Sequence, residues 1–216
     1  MKILSVTGGL VDTNAYLLID EETQTAAIID APDHTVQPFL DYCRLHNVKL
    51  TQLILTHGHW DHIADHDVVT AAFPDAQVII HKIDEPKLQK PGSLLWELPF
   101  SIAPRNADAC MAEGDIISVG KIPLRVMHTP GHSVGHVCLF FDDPAQPILF
   151  AGDLLMAGTV GRYDFPGDGD INVLIQSLQR VMQLPDETRV LPGHGPETTI
   201  GNERNGNPFL HDHDIA

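Results

Sequence analysis

Four short runs of this sequence concentrate imidazole and carboxylate groups. They are Thr56-His57-Gly58-His59-Trp60-Asp61-His62, Thr129-Pro130-Gly131-His132-Ser133-Val134-Gly135-His136, Ala151-Gly152-Asp153 and Pro192-Gly193-His194-Gly195. Imidazole nitrogen and carboxylate oxygen without thiolate suit zinc, iron or manganese, and disfavour a calcium or magnesium cage. In an extended segment, residues two apart point the same way, so His57 and His59 can grip one metal. Asp61 and His62 fall where the chain turns into a helix and can reach a second metal nearby. His57, His59, Asp61, His62, His132, Asp153 and His194 make seven ligand candidates. A catalytic zinc takes about three protein ligands and keeps a position open, so this set fits two ions if one carboxylate bridges them. A lone histidine at a strand end is ordinarily a satisfied surface or core group. Four loops supplying such groups together point to metal.

Each run follows an apolar segment that reads as a strand, which places the candidates on loops held by a rigid scaffold. Ile3 to Val6, Ala15 to Ile19 and Thr25 to Ile29 read as an opening antiparallel meander. Val36, Phe39, Leu40 and Cys43 follow helical spacing, with Asn47 as a left-handed stop. Gln52 to Leu55 predicts a buried strand running into the first histidine run. Ile63 to Phe73 predicts one helix ended by Pro74, and Gln77 to Ile80 the next strand. Ile116 to Ser118, Pro123 to Met127, His136 to Phe141, Ile148 to Phe150 and Val190-Leu191 read as further strands. Asp170 caps a helix whose apolar face is Ile171, Leu174, Leu178 and Val181. Between them, Pro86 to Pro104 mixes prolines with Leu94, Leu95, Trp96, Leu98 and Phe100. It reads as a loop tucked against the core, or as a wall over a substrate pocket. Gly58, Gly131, Gly152 and Gly193 let the backbone come close to a metal. The two-part pattern implies an α/β (α+β) architecture in one domain over residues 1–216, with two mixed sheets face to face and helices outside.

Composition narrows the function classes. The chain has 216 residues, 43% of them hydrophobic and 19% charged, as expected of a soluble globular protein. Its net charge of -16 would repel nucleic acid and anionic lipid, so neither is an expected partner. No apolar run reaches the length of a membrane span, and Asp12 and Asn14 break the N-terminal stretch too early for a signal peptide. Cys43, Cys110 and Cys138 are odd in number and far apart, against a disulfide framework or a thiolate zinc site. A reducing cytoplasm is the expected setting, with each cysteine a small buried hydrophobe.

Taken in order, Thr-His-x-His-x-Asp-His, Thr-Pro-Gly-His-x-x-Gly-His, Ala-Gly-Asp and Pro-Gly-His resemble the metallo-β-lactamase superfamily. Within it the chain most resembles the glyoxalase II (hydroxyacylglutathione hydrolase) branch, from about Asn14 to Phe209. Its tail from Leu191 to Leu210 is similar to a short bacterial subtype lacking most of the C-terminal helical region. The resemblance implies an αββα sandwich. It also implies a first metal on His57, His59 and His132, a second on Asp61, His62 and His194, and Asp153 as the bridge. His128, His136 and Asp30 become neighbours of the ligands, and His34, His46, His66 and His81 have no motif support. His211 and His213 fall in a tail expected to fray.

The chemistry implied is hydrolysis by a hydroxide held between two divalent ions, zinc first and iron or manganese as substitutes, with Asp61 both ligand and catalytic carboxylate. Thiols leave readily, since their pKa is about 8.5. The branch therefore implies S-D-lactoylglutathione as substrate, yielding D-lactate and glutathione. Arg162, with Tyr163 beside it, stands where longer members place a basic glutathione contact; the plainer reading pairs Arg162 with Asp164 or Asp168. Gly161-Arg162-Tyr163-Asp164-Phe165 also resembles a mono-iron persulfide dioxygenase of the same superfamily, which would use His57, His132 and Asp153. A lactone or β-lactam hydrolase and a non-catalytic metal-binding module rank lower. The sequence does not define the oligomeric state.

Overall fold

The computed structural model describes residues 1–215. In chain order its elements are β1 (Lys2–Gly8), β2 (Thr13–Asp20), β3 (Thr25–Ile29), α1 (Gln37–His46), β4 (Lys49–Ile54), α2 (Trp60–Ile63), α3 (His66–Ala72), β5 (Gln77–His81), α4 (Glu85–Gln89) and β6 (Ala109–Met111). The second half holds β7 (Ile116–Val119), β8 (Ile122–His128), β9 (Val137–Phe141), β10 (Ile148–Gly152), β11 (Leu155–Met156), β12 (Thr159–Val160), α5 (Ile171–Val181), β13 (Arg189–Pro192), β14 (Thr198–Thr199), α6 (Ile200–Gly206) and α7 (Pro208–Asp212). One six-stranded sheet runs β1 to β6 in sequence order, and the other runs β14-β13-β10-β9-β8-β7. Both are mixed: β1 to β3 pair antiparallel and β3 to β6 parallel, while β10 and β13 are the parallel pair of the second sheet.

Strand β2 shows why two layers become four. All eight of its residues are buried, so it cannot have one wet face. Tyr16 and Leu18 point between the sheets, where they meet Val126, Leu139 and Phe150 of the second sheet. Leu17 and Ile19 point the other way, onto Phe39, Leu40 and Cys43 of α1. The outer face of the second sheet is covered in the same manner, with Phe140, Leu149 and Val190 under Leu174 and Leu178 of α5. This αββα sandwich is the expected fold. Full burial of one such side chain contributes roughly 1.5–3 kcal/mol.

Local structure departs from the sequence reading in places that bear on the site. The helix expected from Ile63 to Phe73 is shortened to α3, which a break at Ala64-Asp65 separates from the short α2 before it. Asp65 accepts from Thr35 N at 3.1 Å and donates its own N–H to Ala31 O at 2.8 Å, so the break is pinned to the loop after β3. Asp61 and His62, expected where the chain turns into a helix, lie on the short separate turn α2. Up to Ile215 the described tail is held against the body: Asn207 caps α7 through Phe209 N, Leu210 is buried, and His213 packs on Phe209 at 4.4 Å. Cys43 and Cys138 are buried, but Cys110 is exposed, because the short edge strand β6 turns it outward.

Candidate metal centre

The four polar runs leave the C-terminal ends of β4, β8, β10 and β13, and they meet at one edge of the sandwich. Three overlapping groups have ligand atoms within 4.8 Å of one another: His57-His59-His132, His57-His62-Asp153, and Asp61-His62-His194. All seven candidates therefore converge. Asp153 stands between the two ends. Its Oδ2 is 3.4 Å from His132 Nε2 and 3.3 Å from His194 Nε2, while Oδ1 is 3.4 Å from His62 Nε2. Asp61 Oδ2 lies 3.3 Å from both His62 Nε2 and His194 Nε2.

The outward nitrogen of each imidazole fixes what the inward one can do. His62 Nδ1 donates to Asp30 Oδ2 at 2.8 Å, His132 Nδ1 to Arg162 O at 2.6 Å, and His194 Nδ1 to Val11 O at 3.1 Å. His59 is turned the other way round, with Nε2 donating to Asp168 Oδ2 at 2.8 Å. Thr56 Oγ1 gives its proton to Asp30 and so can accept from His57 Nδ1 at 3.0 Å. With the outer N–H used, each ring turns a lone pair inward, the arrangement a metal-ligating histidine needs. His136 sits beside them but is spent: its Nε2 accepts from Asp153 N at 2.9 Å. It holds the loop of Asp153 and has no lone pair left for a metal.

The donor set fits divalent ions. His62 Nε2 and Asp153 Oδ1 are buried and lack any hydrogen-bond partner, a costly state that a cation between them relieves. Charge balance points the same way. Burial and the neighbouring imidazoles hold His57 well below the ordinary histidine range, and burial lowers His132 to about 4. His62 and His194 move oppositely. Burial opposes their charge, but Asp153 and Asp61 outweigh it, and His194 rises to about 10. In the metal-free chain, protons on these two rings supply the positive charge the carboxylates demand.

The surrounding loops are built to let these groups approach. A Cβ on Gly193 would overlap the Asp153 carboxylate and press on His62. Gly131, at φ +131°, packs its α-carbon against the backbone of Leu174 at the start of α5, where a side chain has no room. Asn14 and Tyr16 of β2 tie down the His194 loop, with Asn14 Nδ2 and Tyr16 OH donating to Pro192 O at 3.0 and 2.7 Å.

One set of residues escaped the sequence reading. Lys87 of α4 donates to Asp84 at 2.8 Å, to Ser133 at 2.9 Å and to Asp168 at 2.7 Å. Asp84 in turn accepts from Gly58 N and Gly135 N, each at 2.8 Å. Asp168 also accepts from Val134 N at 3.0 Å. This chain of charges, half-buried at Lys87, joins the first two of the site loops behind His59. Asp84 and Lys87 are an i,i+3 pair, but Asp168 is 81 positions beyond Lys87 and only the fold brings it to them.

A cavity of about 270 Å³ opens over the ligands, with His59, Asp61, His132, Asp153 and His194 on its floor. The Pro86 to Pro104 stretch divides between its two readings. Leu88 and Ile102 are buried in the core with Leu98 and Phe100 against them, whereas Leu94, Leu95 and Trp96 wall the cavity. Arg162 is at the rim, paired through its guanidinium with Asp164 and lying 4.9 Å over Phe165. Tyr163 turns away from the rim and packs on Phe209, with ring centroids 5.9 Å apart. Its neighbour Asp164 points to Arg162, so the alternation of the segment directs Tyr163 inward. His66 donates to Ala103 O at 2.7 Å and His81 stacks on His128 at 4.3 Å, both outside the cluster.

The profile described as the metallo-β-lactamase superfamily matches residues 8–194. The hydroxyacylglutathione hydrolase GloC of Haemophilus influenzae is 33% identical, over 97% of this chain and 97% of its own. Among solved structures, the B3 metallo-β-lactamase BLEG-1 is 33% identical with a TM-score of 0.87, covering 97% of this chain and 99% of its own. TTHA1623 in a di-iron-bound form is 36% identical with a TM-score of 0.77, covering 96% and 100%. ETHE1 from Myxococcus xanthus is 29% identical with a TM-score of 0.78, covering 96% and 84%. Among the described residues, no helix is long and apolar enough to cross a membrane.

Proposed function

This chain belongs to the metallo-β-lactamase superfamily, and on that premise we propose that it is a two-metal thioester hydrolase of the glyoxalase II type. In this reading His57, His59 and His132 would hold one ion and Asp61, His62 and His194 the other, with Asp153 available to both. The observation that carries it is the convergence of seven inward-facing nitrogen and oxygen donors, more than one ion uses. Zinc is the proposed native ion, with iron as the substitute that the di-iron TTHA1623 structure supports.

When bound, such ions supply Lewis acidity that lowers the pKa of water and polarises a carbonyl oxygen. The chain's own groups do the rest. Asp61 is fixed by Thr13 Oγ1 at 2.9 Å, and His62 and His194 keep it ionised against the effect of burial, which suits it to orient an attacking water. The side-chain nucleophiles nearest the ligand loops are occupied or held protonated. Burial raises the thiols of Cys43 and Cys138 to about 11 and about 12, and the Ser133 hydroxyl is bonded to Asp84 and Lys87. A thiolate leaves without much acid assistance, so the lack of a free acid over the floor favours thioesters over amides. The small-molecule substrate we propose is a glutathione thioester, supported by the GloC likeness and by Arg162 at the rim. Three unpaired cysteines support a reducing, cytoplasmic setting.

The ETHE1 likeness favours a second reading, a mono-iron persulfide dioxygenase on His57, His132 and Asp153. That reading leaves His59, Asp61, His62 and His194 without work. Reconstituted protein incubated with S-D-lactoylglutathione separates the two. Hydrolysis with release of free thiol is the expected result; oxygen uptake with glutathione persulfide, and no thioester cleavage, would establish the dioxygenase instead.

A further inference from the structure

We propose that the cavity selects thioesters whose acyl part carries an aromatic ring, an inference that rests on the thioester-hydrolase reading of the same site. Large apolar side chains are left in water around its mouth: Val11 is 37% exposed, Leu94 52%, Leu95 40% and Trp96 48%. A contiguous apolar patch of this kind marks a binding surface rather than scattered exposure. The aromatic character continues down to the ligands themselves. Trp96 meets Trp60 edge-on at 6.1 Å, and Trp60 stands between His59 and Asp61 in the chain. On the other side Phe165 meets His59 at 4.8 Å and His132 at 5.5 Å, again edge-on. A planar ring entering here finds edges and faces at the separations aromatic pairs prefer.

Charge decides which end of the substrate enters. Apart from the floor histidines and the ions they would hold, Arg162 is the one cationic side chain on the cavity lining among the described residues, and its guanidinium is already paired with Asp164. Lys87, behind His59, is held between Asp84 and Asp168. The peptide part of a glutathione thioester carries two carboxylates and an ammonium, and inside this wall they would lose water without gaining partners. The peptide therefore lies across the rim and the acyl group goes in. Trp96 is a specificity-determining residue in this account: it supplies the face the acyl ring displaces water from.

The full metal-loaded chain is assayed with S-mandeloylglutathione and S-D-lactoylglutathione, which share the thiol and differ in the acyl group. The expected ratio of kcat/KM favours the mandeloyl ester by about tenfold, the scale of apolar discrimination in a hydrophobic pocket. Trp96→Ala is expected to lower that ratio by about tenfold, chiefly through KM for the mandeloyl ester. Equal kcat/KM values, or a ratio that Trp96→Ala leaves in place, overturn the proposal. A binding measurement is independent of turnover. The chain's two tryptophans, Trp60 and Trp96, both line the cavity, so intrinsic fluorescence reports its occupancy. Titration is expected to saturate with D-mandelate at about tenfold lower concentration than with D-lactate, and equal affinities overturn the proposal. Discrimination between the two acids without cleavage of either thioester supports the aromatic pocket and removes the thioester reading of the floor.

Discussion

The floor of the cavity and its rim are built on opposite principles. On the floor each imidazole is held by a named acceptor on its outer side, and those acceptors are themselves held: Asp30 by Thr56 and His62, Asp168 by Lys87 and Val134. The rim residues Leu94, Leu95 and Trp96 have no such backing; Leu95 and Trp96 only donate their backbone N–H groups to Ser93 Oγ, at 3.2 and 3.4 Å. A metal centre loses affinity when its ligands are free to turn, so it needs two layers of fixed partners. A wall that recognises apolar groups needs shape and surface, and tolerates looseness. The difference predicts that floor substitutions remove chemistry, and rim substitutions change preference.

The largest effect is expected at Asp153. Asp153→Ala removes the one carboxylate shared by both ends of the cluster, and hydrolysis should fall to background while circular dichroism reports a folded chain. His59→Ala should do the same. Full activity in either variant would show that the floor is not the reactive part. One step outward, Asp168→Asn keeps the shape but frees His59, and should weaken metal affinity by about 10–100-fold in a chelator competition. Lys87→Met, one step further, should weaken it by about tenfold, at the low end of that range. Equal losses from Trp96→Ala and Asp168→Asn in that competition would erase the distinction between floor and rim.

A smaller effect concerns pH in the metal-free chain. Burial opposes a charge on His194, but Asp153 and Asp61 raise its pKa from 6.5 to about 10. The stabilisation from its protonated form is complete below pH 6.5 and is lost as the pH rises through about 10. Thermal melts of chelated protein should therefore show stability falling over that interval, and His194→Ala should reduce the slope to the part that the likewise raised His62 contributes. Smallest is Leu95→Ala at the rim, expected to shift stability by no more than about 0.5 kcal/mol. Phe150→Ala between the sheets should cost about 3–5 kcal/mol by chemical denaturation.

The floor was largely legible in the sequence because its ligands obey local rules. His57, His59, Asp61 and His62 lie in one run, and the other loops each carry a short glycine-containing motif after an apolar strand. Strand pairs with strong apolar patterns, such as β2 and β3, were readable for the same reason. What the sequence hid is set by tertiary contact. Asp84, Lys87 and Asp168 become a unit only when α4 packs behind the His59 loop. The break between α2 and α3 comes from Asp65 reaching the loop after β3, which no helical periodicity reports. Short edge strands such as β6 and β14 have too few residues to show a pattern. Tyr163 was drawn to the rim by its neighbour Arg162, and only the packing on Phe209 shows that it turns away.

Metal titration of the stripped protein, with bound ions and hydrolysis of S-D-lactoylglutathione measured on the same samples, bears on the whole reading. The predicted result is activity that rises with metal and saturates at two ions per chain. Activity complete at one ion per chain, with the second ion absent or without effect, would contradict it.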